Sequence, residues 1–111
     1  METTTALTQE INQLHADLCS ALADPTRILI LYLVAERSYS VNELAARLAV
    51  AQPTASRHLK ILRERGLLRA ARQGQMVEYS LIDPRLISSL DTLRAVLRDS
   101  LAYRANLMVE E

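Results

Sequence analysis

The sequence predicts a mainly α-helical fold that carries one small β-hairpin, in the order α-α-α-α-β-β-α. Three observations predict it. Apolar residues recur at helical spacing near both ends of the chain, from Leu7 to Leu22 and from Leu86 to Leu101. Asp is followed directly by Pro at 24–25 and again at 83–84, a pairing that caps a helix and opens its first turn. Between them, around Gly74, the period falls to two, with Val77 and Tyr79 alternating against Glu78 and Ser80.

Leu7, Ile11, Leu14, Leu18 and Leu22 define a first amphipathic helix over about 7–22, with Thr5 or Thr8 as its cap. Asp24 and Pro25 start a second helix, "TRILILYLVAE", which is apolar nearly all round and is therefore expected to be central and largely buried. Ser40 and Glu43 stand three apart as in a capping box and start a short helix bearing Val41, Leu44, Ala45 and Leu48. Pro53 keeps it from extending past Ala49. From Gln52 to about Arg65, Ala55, Leu59 and Leu62 share one helical face, while Thr54, Ser56, Arg57, Lys60 and Arg63 point elsewhere. Two helices joined by so short a turn make a helix-turn-helix, here about 41–65, whose second helix can lie in a major groove.

Gly66 closes that helix, and "LLRAARQ" and "MVEYSLI" form a hairpin with a polar tip at Gln73 to Gln75, a wing over about 67–82. Leu86, Leu90, Leu93, Val96, Leu97 and Leu101 then describe a long amphipathic helix over about 84–105. A helix-turn-helix followed by a two-stranded hairpin is a winged helix-turn-helix, expected as a single domain over 1–111. The stripes on the helices at about 7–22 and 84–105 are longer than so small a core needs. They are expected to pair two copies as a homodimer, which would set two recognition helices about one turn of DNA apart.

Half of the residues are hydrophobic and the formal net charge is zero, so a folded domain is expected. The longest apolar runs, such as "ILILYLVA", are too short to cross a bilayer, and the N-terminus has no basic stretch leading into an apolar core. The expectation is a soluble, cytoplasmic protein with no membrane partner. One cysteine, Cys19, allows no intrachain disulfide and no CxxC zinc site. Two histidines, one cysteine, no clustered carboxylates and no glycine-rich phosphate loop leave no constellation for an enzyme. Tyr32 and Tyr39 read as packing residues, Tyr79 as hairpin core and Tyr103 as part of the dimer helix.

Neutrality hides a segregation of charge. Between 44 and 77, Arg47, Arg57, Lys60, Arg63, Arg65, Arg69 and Arg72 face the single acid Glu64, a local charge of plus six that the remainder must offset. Such a segment suits a polyanion, and double-stranded DNA is the partner the helix-turn-helix calls for. Gln52, Thr54, Ser56, Arg57 and His58 occupy the half of the second helix that reaches base edges. Gln and Arg make paired hydrogen bonds to adenine and guanine, so Gln52 and Arg57 are the expected base readers. Lys60, Arg63, Arg69 and Arg72, with Gln73 and Gln75 at the wing tip, are expected on phosphates or in a minor groove.

Taken together, "ALADPTRILIL" at 21–31, "VNELAARLAVAQPTASRHLKILRERGLL" at 41–68 and "GQMVEYSL" at 74–81 resemble the ArsR/SmtB winged-helix repressors, and the resemblance covers almost the whole chain. It implies a homodimeric transcriptional repressor that occupies operator DNA near a promoter and leaves it when an inducer binds or a thiol is oxidised. It also implies a structural or phosphate-binding role for His58 as readily as a base contact. Where relatives commonly have glycine and then serine, the turn here reads "LAVAQP". Ala49 then meets a position suited to positive φ and Ala51 cannot cap the next helix, each a loss of about 1 kcal/mol.

The resemblance also locates metal sites, and this sequence departs from them. Ser40 and Asn42 stand where one class of relatives has cysteines; near the last helix Asp83 is kept, but Arg85, Val96 and Asp99 replace the other ligands. No metal and no cofactor is therefore expected, and a single thiol per chain does not suit arsenic(III). Cys19 and His15, one helical turn apart, are the remaining sensor candidates. A dimer bringing two such pairs together would offer two His and two Cys to zinc; Cys19 alone would offer thiol chemistry. The plainer expectation is that Cys19 is a small buried hydrophobe. A winged-helix protein-interaction module without DNA binding is the alternative class, and salt-insensitive, sequence-blind DNA affinity would mark it.

Overall fold

The computed structural model describes residues 2–110. The first helix, α1, starts at Glu2, runs regularly to Leu14, widens into a π-helical segment at His15–Cys19 and finishes at Ser20–Leu22. Thr5 and Thr8, expected at its cap, lie inside it, and the Thr8 hydroxyl donates to Thr4 O at 2.8 Å. The chain then turns through 85° into α2, Pro25–Glu36. Asp24 caps α2 as expected, its carboxylate accepting from the N–H groups of Thr26 (2.8 Å) and Arg27 (3.3 Å). Ile30, Leu31 and Val34 are buried, but Leu29 is 54% exposed, so α2 is central without being buried all round.

A strand not expected from the sequence follows. Tyr39–Ser40 (β1) pairs antiparallel with a later strand, Tyr39 opposite Tyr79 and Ser40 opposite Glu78. Ser40 then caps α3, Val41–Leu48, in the predicted capping box: Glu43 N donates to Ser40 Oγ at 3.2 Å and Ser40 N to Glu43 Oε1 at 3.0 Å. Ala49 takes the left-handed conformation, φ 56° and ψ 43°. The next helix, α4, is Gln52–Glu64, and Ala51 at its N-cap makes no side-chain hydrogen bond. Gly66, at φ +79°, leads into β2, Leu68–Gln73, and β3, Met76–Leu81. The sheet order is β1-β3-β2, so the wing is three-stranded at its base rather than a simple hairpin.

Gln73 pairs with Met76, leaving Gly74 and Gln75 as a two-residue turn in which Gly74 supplies a positive φ of 66°. Asp83 Oδ1 accepts from Arg85 N at 2.9 Å, and α5 runs from Arg85 to Glu110, beyond the predicted end near 105.

One core gathers Ala21, Ile30, Leu31, Val34, Tyr39, Leu44, Leu59, Leu62, Leu67, Leu68 and Leu90. Among the described residues of α5 only Leu90 is buried, and from Leu93 onward the helix leaves the body. Leu7, Ile11 and Leu14 on α1 are likewise exposed. The radius of gyration, 17.5 Å, exceeds the roughly 13 Å of a compact domain this long, as two projecting helices require.

Candidate nucleic-acid interface

The turn between α3 and α4 aims the second helix. Val50 N donates to Ala45 O (3.0 Å) and Ala49 N to Ala46 O (3.3 Å), the paired bonds of a Schellman ending with alanine where glycine is usual. From it α4 emerges with Ala55, His58, Leu59 and Leu62 buried against the core and Gln52, Ser56, Arg57, Lys60 and Arg63 exposed or half-exposed on its other sides. Thr54 is half-buried. The exposed side therefore combines an amide and a hydroxyl able to read base edges with three cations. Lys60 Nζ and Glu64 Oε1, both exposed, stand 4.0 Å apart, too open a pair to withdraw the lysine from a phosphate.

His58 departs from this group. It is 8% exposed, and its Nδ1 accepts from Arg27 Nη1 at 3.3 Å. Nδ1 accepts only with its lone pair free, which puts the ring proton on Nε2. Of the roles expected of it, base contact, phosphate contact and structural support, its burial fits the last.

The wing brings its side chains to α4 selectively. A cleft of about 420 Å³ between α4 and β3 is lined by Ser56, Lys60, Arg63, Glu64 and Tyr79. Tyr79 pairs with Ala70, and the period of two then places Arg72, but not Arg69, on the Tyr79 side of the sheet. Arg69 pairs with Ser80 on the opposite face, although both arginines are exposed. Gln73 and Gln75 are exposed at the tip.

Two arginines serve the scaffold. Arg65, counted in the basic segment, donates through Nη1 to Ala16 O, and the same nitrogen lies 3.5 Å from Asp17 Oδ1. Arg27, outside that segment, donates to Ala21 O (Nε, 2.7 Å) and Ser20 O (Nη2, 3.2 Å) as well as to His58. Sequence reasoning missed Arg27, though a signal exists: a guanidinium in a helix otherwise apolar all round must find acceptors nearby.

Acidic groups near the interface are held ionised by local bonds. Partial burial alone would raise the Asp24 carboxyl, but the N–H groups of Arg27 and Thr26, with the positive charge of the Arg27 guanidinium, outweigh it and bring it below its ordinary value. The Ser40 N–H lowers Glu43 against a smaller desolvation effect, helped by Arg37 Nη2 at 3.2 Å.

The positions of inherited metal ligands have other uses. Ser40 caps α3, and Asp83 is chelated by Arg85 (Nη2 to Oδ2, 2.7 Å), which lowers its carboxyl. Among the described residues no three His, Cys, Asp or Glu side chains converge as metal ligands. His15 and Cys19 both lie in the π-helical segment and both are exposed. The expectation of a buried Cys19 is thus corrected for the single chain: Leu18 and Leu22 turn to the core, and Cys19 lies beside that stripe rather than in it.

Comparison with known proteins agrees with this geometry. Residues 24–70 match the family model described as "Bacterial regulatory protein, arsR family". The chain is 33% identical over 81 residues to the biofilm growth-associated repressor of Agrobacterium fabrum, covering 73% of this chain and 69% of the relative. It is 41% identical over 78 residues to the HTH-type transcriptional repressor SmtB of Mycobacterium tuberculosis, covering 70% of this chain and 58% of that one. The crystal structure of M. tuberculosis Rv0081 superposes with a TM-score of 0.77 at 34% identity, over 86% of this chain and 96% of that one. The chain belongs to the ArsR/SmtB family of winged-helix transcriptional regulators, DNA-binding proteins and not enzymes.

Proposed function

We propose that this regulator is a homodimeric repressor that occupies operator DNA in the cytoplasm and leaves it on a signal other than a metal bound at the family's usual sites. The observation that carries the reading is the division of the surface. One exposed set is Gln52, Ser56, Arg57, Lys60 and Arg63 of α4 with Arg72 of the wing; a separate exposed set is the apolar stripes on α1 and α5. Gln52 and Arg57 read bases, Thr54 and Ser56 support them, and Lys60, Arg63, Arg72, Gln73 and Gln75 hold the backbone. Arg69 contributes charge from the far face of the sheet. No single helix among the described residues is long and apolar enough to cross a membrane.

Cys19, the one thiol of the chain, is exposed in the single chain and is the candidate signal-bearing group; the second reading is that the dimer covers it and it only packs. The test is fluorescence anisotropy with a duplex from the protein's own upstream region and with a random duplex, over a salt series, repeated with peroxide and with Cys19→Ser. Preference for the upstream duplex, with affinity falling linearly in log salt, is expected. Equal and salt-insensitive binding to both would replace the repressor by a protein-interaction module. Peroxide release that persists in Cys19→Ser would remove the cysteine from the signal.

A further inference from the structure

We propose that Arg27 is a positioning residue for operator recognition: it locks the recognition helix α4 to the α1 arm, and so sets the half-site spacing that a dimer accepts. This rests on the dimeric DNA-binding reading above. The Arg27 side chain is 13% exposed and spreads its guanidinium over three acceptors. Nε donates to Ala21 O at 2.7 Å, Nη2 to Ser20 O at 3.2 Å and Nη1 to His58 Nδ1 at 3.3 Å, with Asp24 Oδ2 3.9 Å from Nη1. Ser20 and Ala21 belong to the last turn of α1, where carbonyls run short of helical partners; Ser20 O accepts a long bond from Ala23 N at 3.4 Å as well as the one from Arg27. One planar group on α2 thus joins the end of α1 to the middle of α4.

A second tie runs parallel to it. Arg65, just past the end of α4, donates to Ala16 O in the π-helical segment, and the Ser20 hydroxyl meets the same carbonyl at 2.5 Å. His58 and Arg65 are about two helical turns apart, roughly 10 Å along α4, so the two ties fix a direction and not merely a point. Beyond Ala16, α1 carries Leu7, Ile11 and Leu14 exposed. A partner seated on that stripe therefore reaches α4 through Arg27 and Arg65. The guanidinium fork makes the Arg27 tie directional, because its donors have fixed mutual angles; an ammonium is a single point and satisfies three separated acceptors poorly.

Two half-sites displaced by one base pair demand both a shift and a rotation between recognition helices. A stiff joint resists this and a loose one yields. The test uses duplexes bearing an inverted pair of half-sites, selected from a random library by the parent protein, with the spacing varied one base pair at a time, and the single half-site as control. Binding is read by anisotropy and folding by circular dichroism. The parent is expected to lose about tenfold in affinity for each base pair off its optimum. Arg27→Lys, which keeps the charge, and His58→Leu, which removes the acceptor, are expected to lose less than about threefold, with single half-site affinity within about twofold of the parent. His58→Asn, whose Oδ1 stands where Nδ1 stood, should restore the parent profile.

Retention of the parent's spacing profile by Arg27→Lys and His58→Leu overturns the proposal. A uniform loss at every spacing and on the single half-site, or failure of Arg27→Lys to fold, also overturns it, since Arg27 is then only structural. A parent that selects no sequence at all overturns the DNA-binding dimer first, and is told apart by that.

Discussion

Val50 N donates to Ala45 O at 3.0 Å across an alanine, Ala49, held at φ 56°. The bond closes α3 and turns the chain into the recognition helix, so the left-handed conformation is imposed by the motif on a residue with a Cβ. That conformation costs an L-residue about 1–2 kcal/mol, while glycine gives back about 0.5–1 kcal/mol through its freer unfolded chain. Ala49→Gly is therefore expected to stabilise the fold by about 0.5–1 kcal/mol. Urea unfolding checks this; a lower midpoint for the glycine variant would mean that Ala49 makes packing contacts outweighing its strain.

Arg57 stands exposed in the first half of α4, next to Ser56 on the cleft and to buried His58. A guanidinium there can meet both acceptors of a guanine edge. Arg57→Ala is expected to cost about 1–3 kcal/mol on the selected duplex and to relax preference at one base position. If binding falls equally on selected and random duplexes, Arg57 is a phosphate contact.

Several of these features are legible in the sequence because the forces behind them are local. Asp24 meets amides two and three residues away, and Ser40 and Glu43 cap each other within one turn, so residue type and spacing suffice. Ala49 is readable through the resemblance instead, since relatives commonly carry glycine at that turn and alanine here takes the left-handed conformation. β1 is not legible: Tyr39 and Ser40 are too few to show alternation, and their partners lie about forty residues on. Nor is the inward turn of His58, whose acceptor role depends on an arginine in another helix. The π-helical segment widens α1 at residues with no compositional mark; the spacing puts Leu18 and Leu22 on the packed stripe, where the structure has them, and only the usual habit of a free cysteine suggests burial for Cys19. Charge and polarity group the eleven candidate DNA-binding side chains together; only strand register divides Arg69 from Arg72.

That division makes a prediction of its own. Arg72 lies on the Tyr79 face, beside the cleft that Lys60 and Arg63 line, whereas Arg69 faces away with Ser80. A side chain that neutralises one phosphate contributes about 0.9 to the slope of log affinity against log salt. Arg72→Ala, which removes one such contact from each copy of the dimer, should lower the slope by about 1.8, and Arg69→Ala by well under half as much. Equal slopes for the two variants would show that the wing twists enough at its tip for both faces to reach DNA.

The apolar stripe of α5 predicts the oligomer. Leu97 is 54% exposed in the single chain, midway along the projecting part of the helix, with Leu93 and Leu101 a turn to either side. Burying the exposed half of such a leucine in both copies contributes about 1.5–3 kcal/mol to association. Leu97→Glu removes this and opposes two like charges, so the dimer is expected to weaken at least about a hundredfold, visible by sedimentation equilibrium. Operator affinity should fall with it while the circular dichroism spectrum is kept. A variant that still sediments as a dimer would place the interface elsewhere.

Stability should carry the signature of the two helix caps as pH falls. Asp24 and Glu43 have carboxyls below their ordinary values of 3.8 and 4.5, so the folded chain binds fewer protons than the unfolded one in that range. The sign follows: their contribution is full above 4.5 and is lost as pH drops through the lowered values of the folded state. Asp24→Asn keeps an oxygen acceptor for the N–H groups of Thr26 and Arg27 but carries no charge to lose. It should be less stable than the parent near neutrality, with the gap closing as pH falls below 3.8, where the parent's carboxyl is protonated as well. Glu43→Gln should behave alike, its gap starting to close at higher pH in keeping with the ordinary value of 4.5. Urea unfolding of parent and variants across this range measures the gap directly. A gap that stays constant into the acid limb would assign the caps' effect to hydrogen-bond geometry, with the ionic charge contributing nothing.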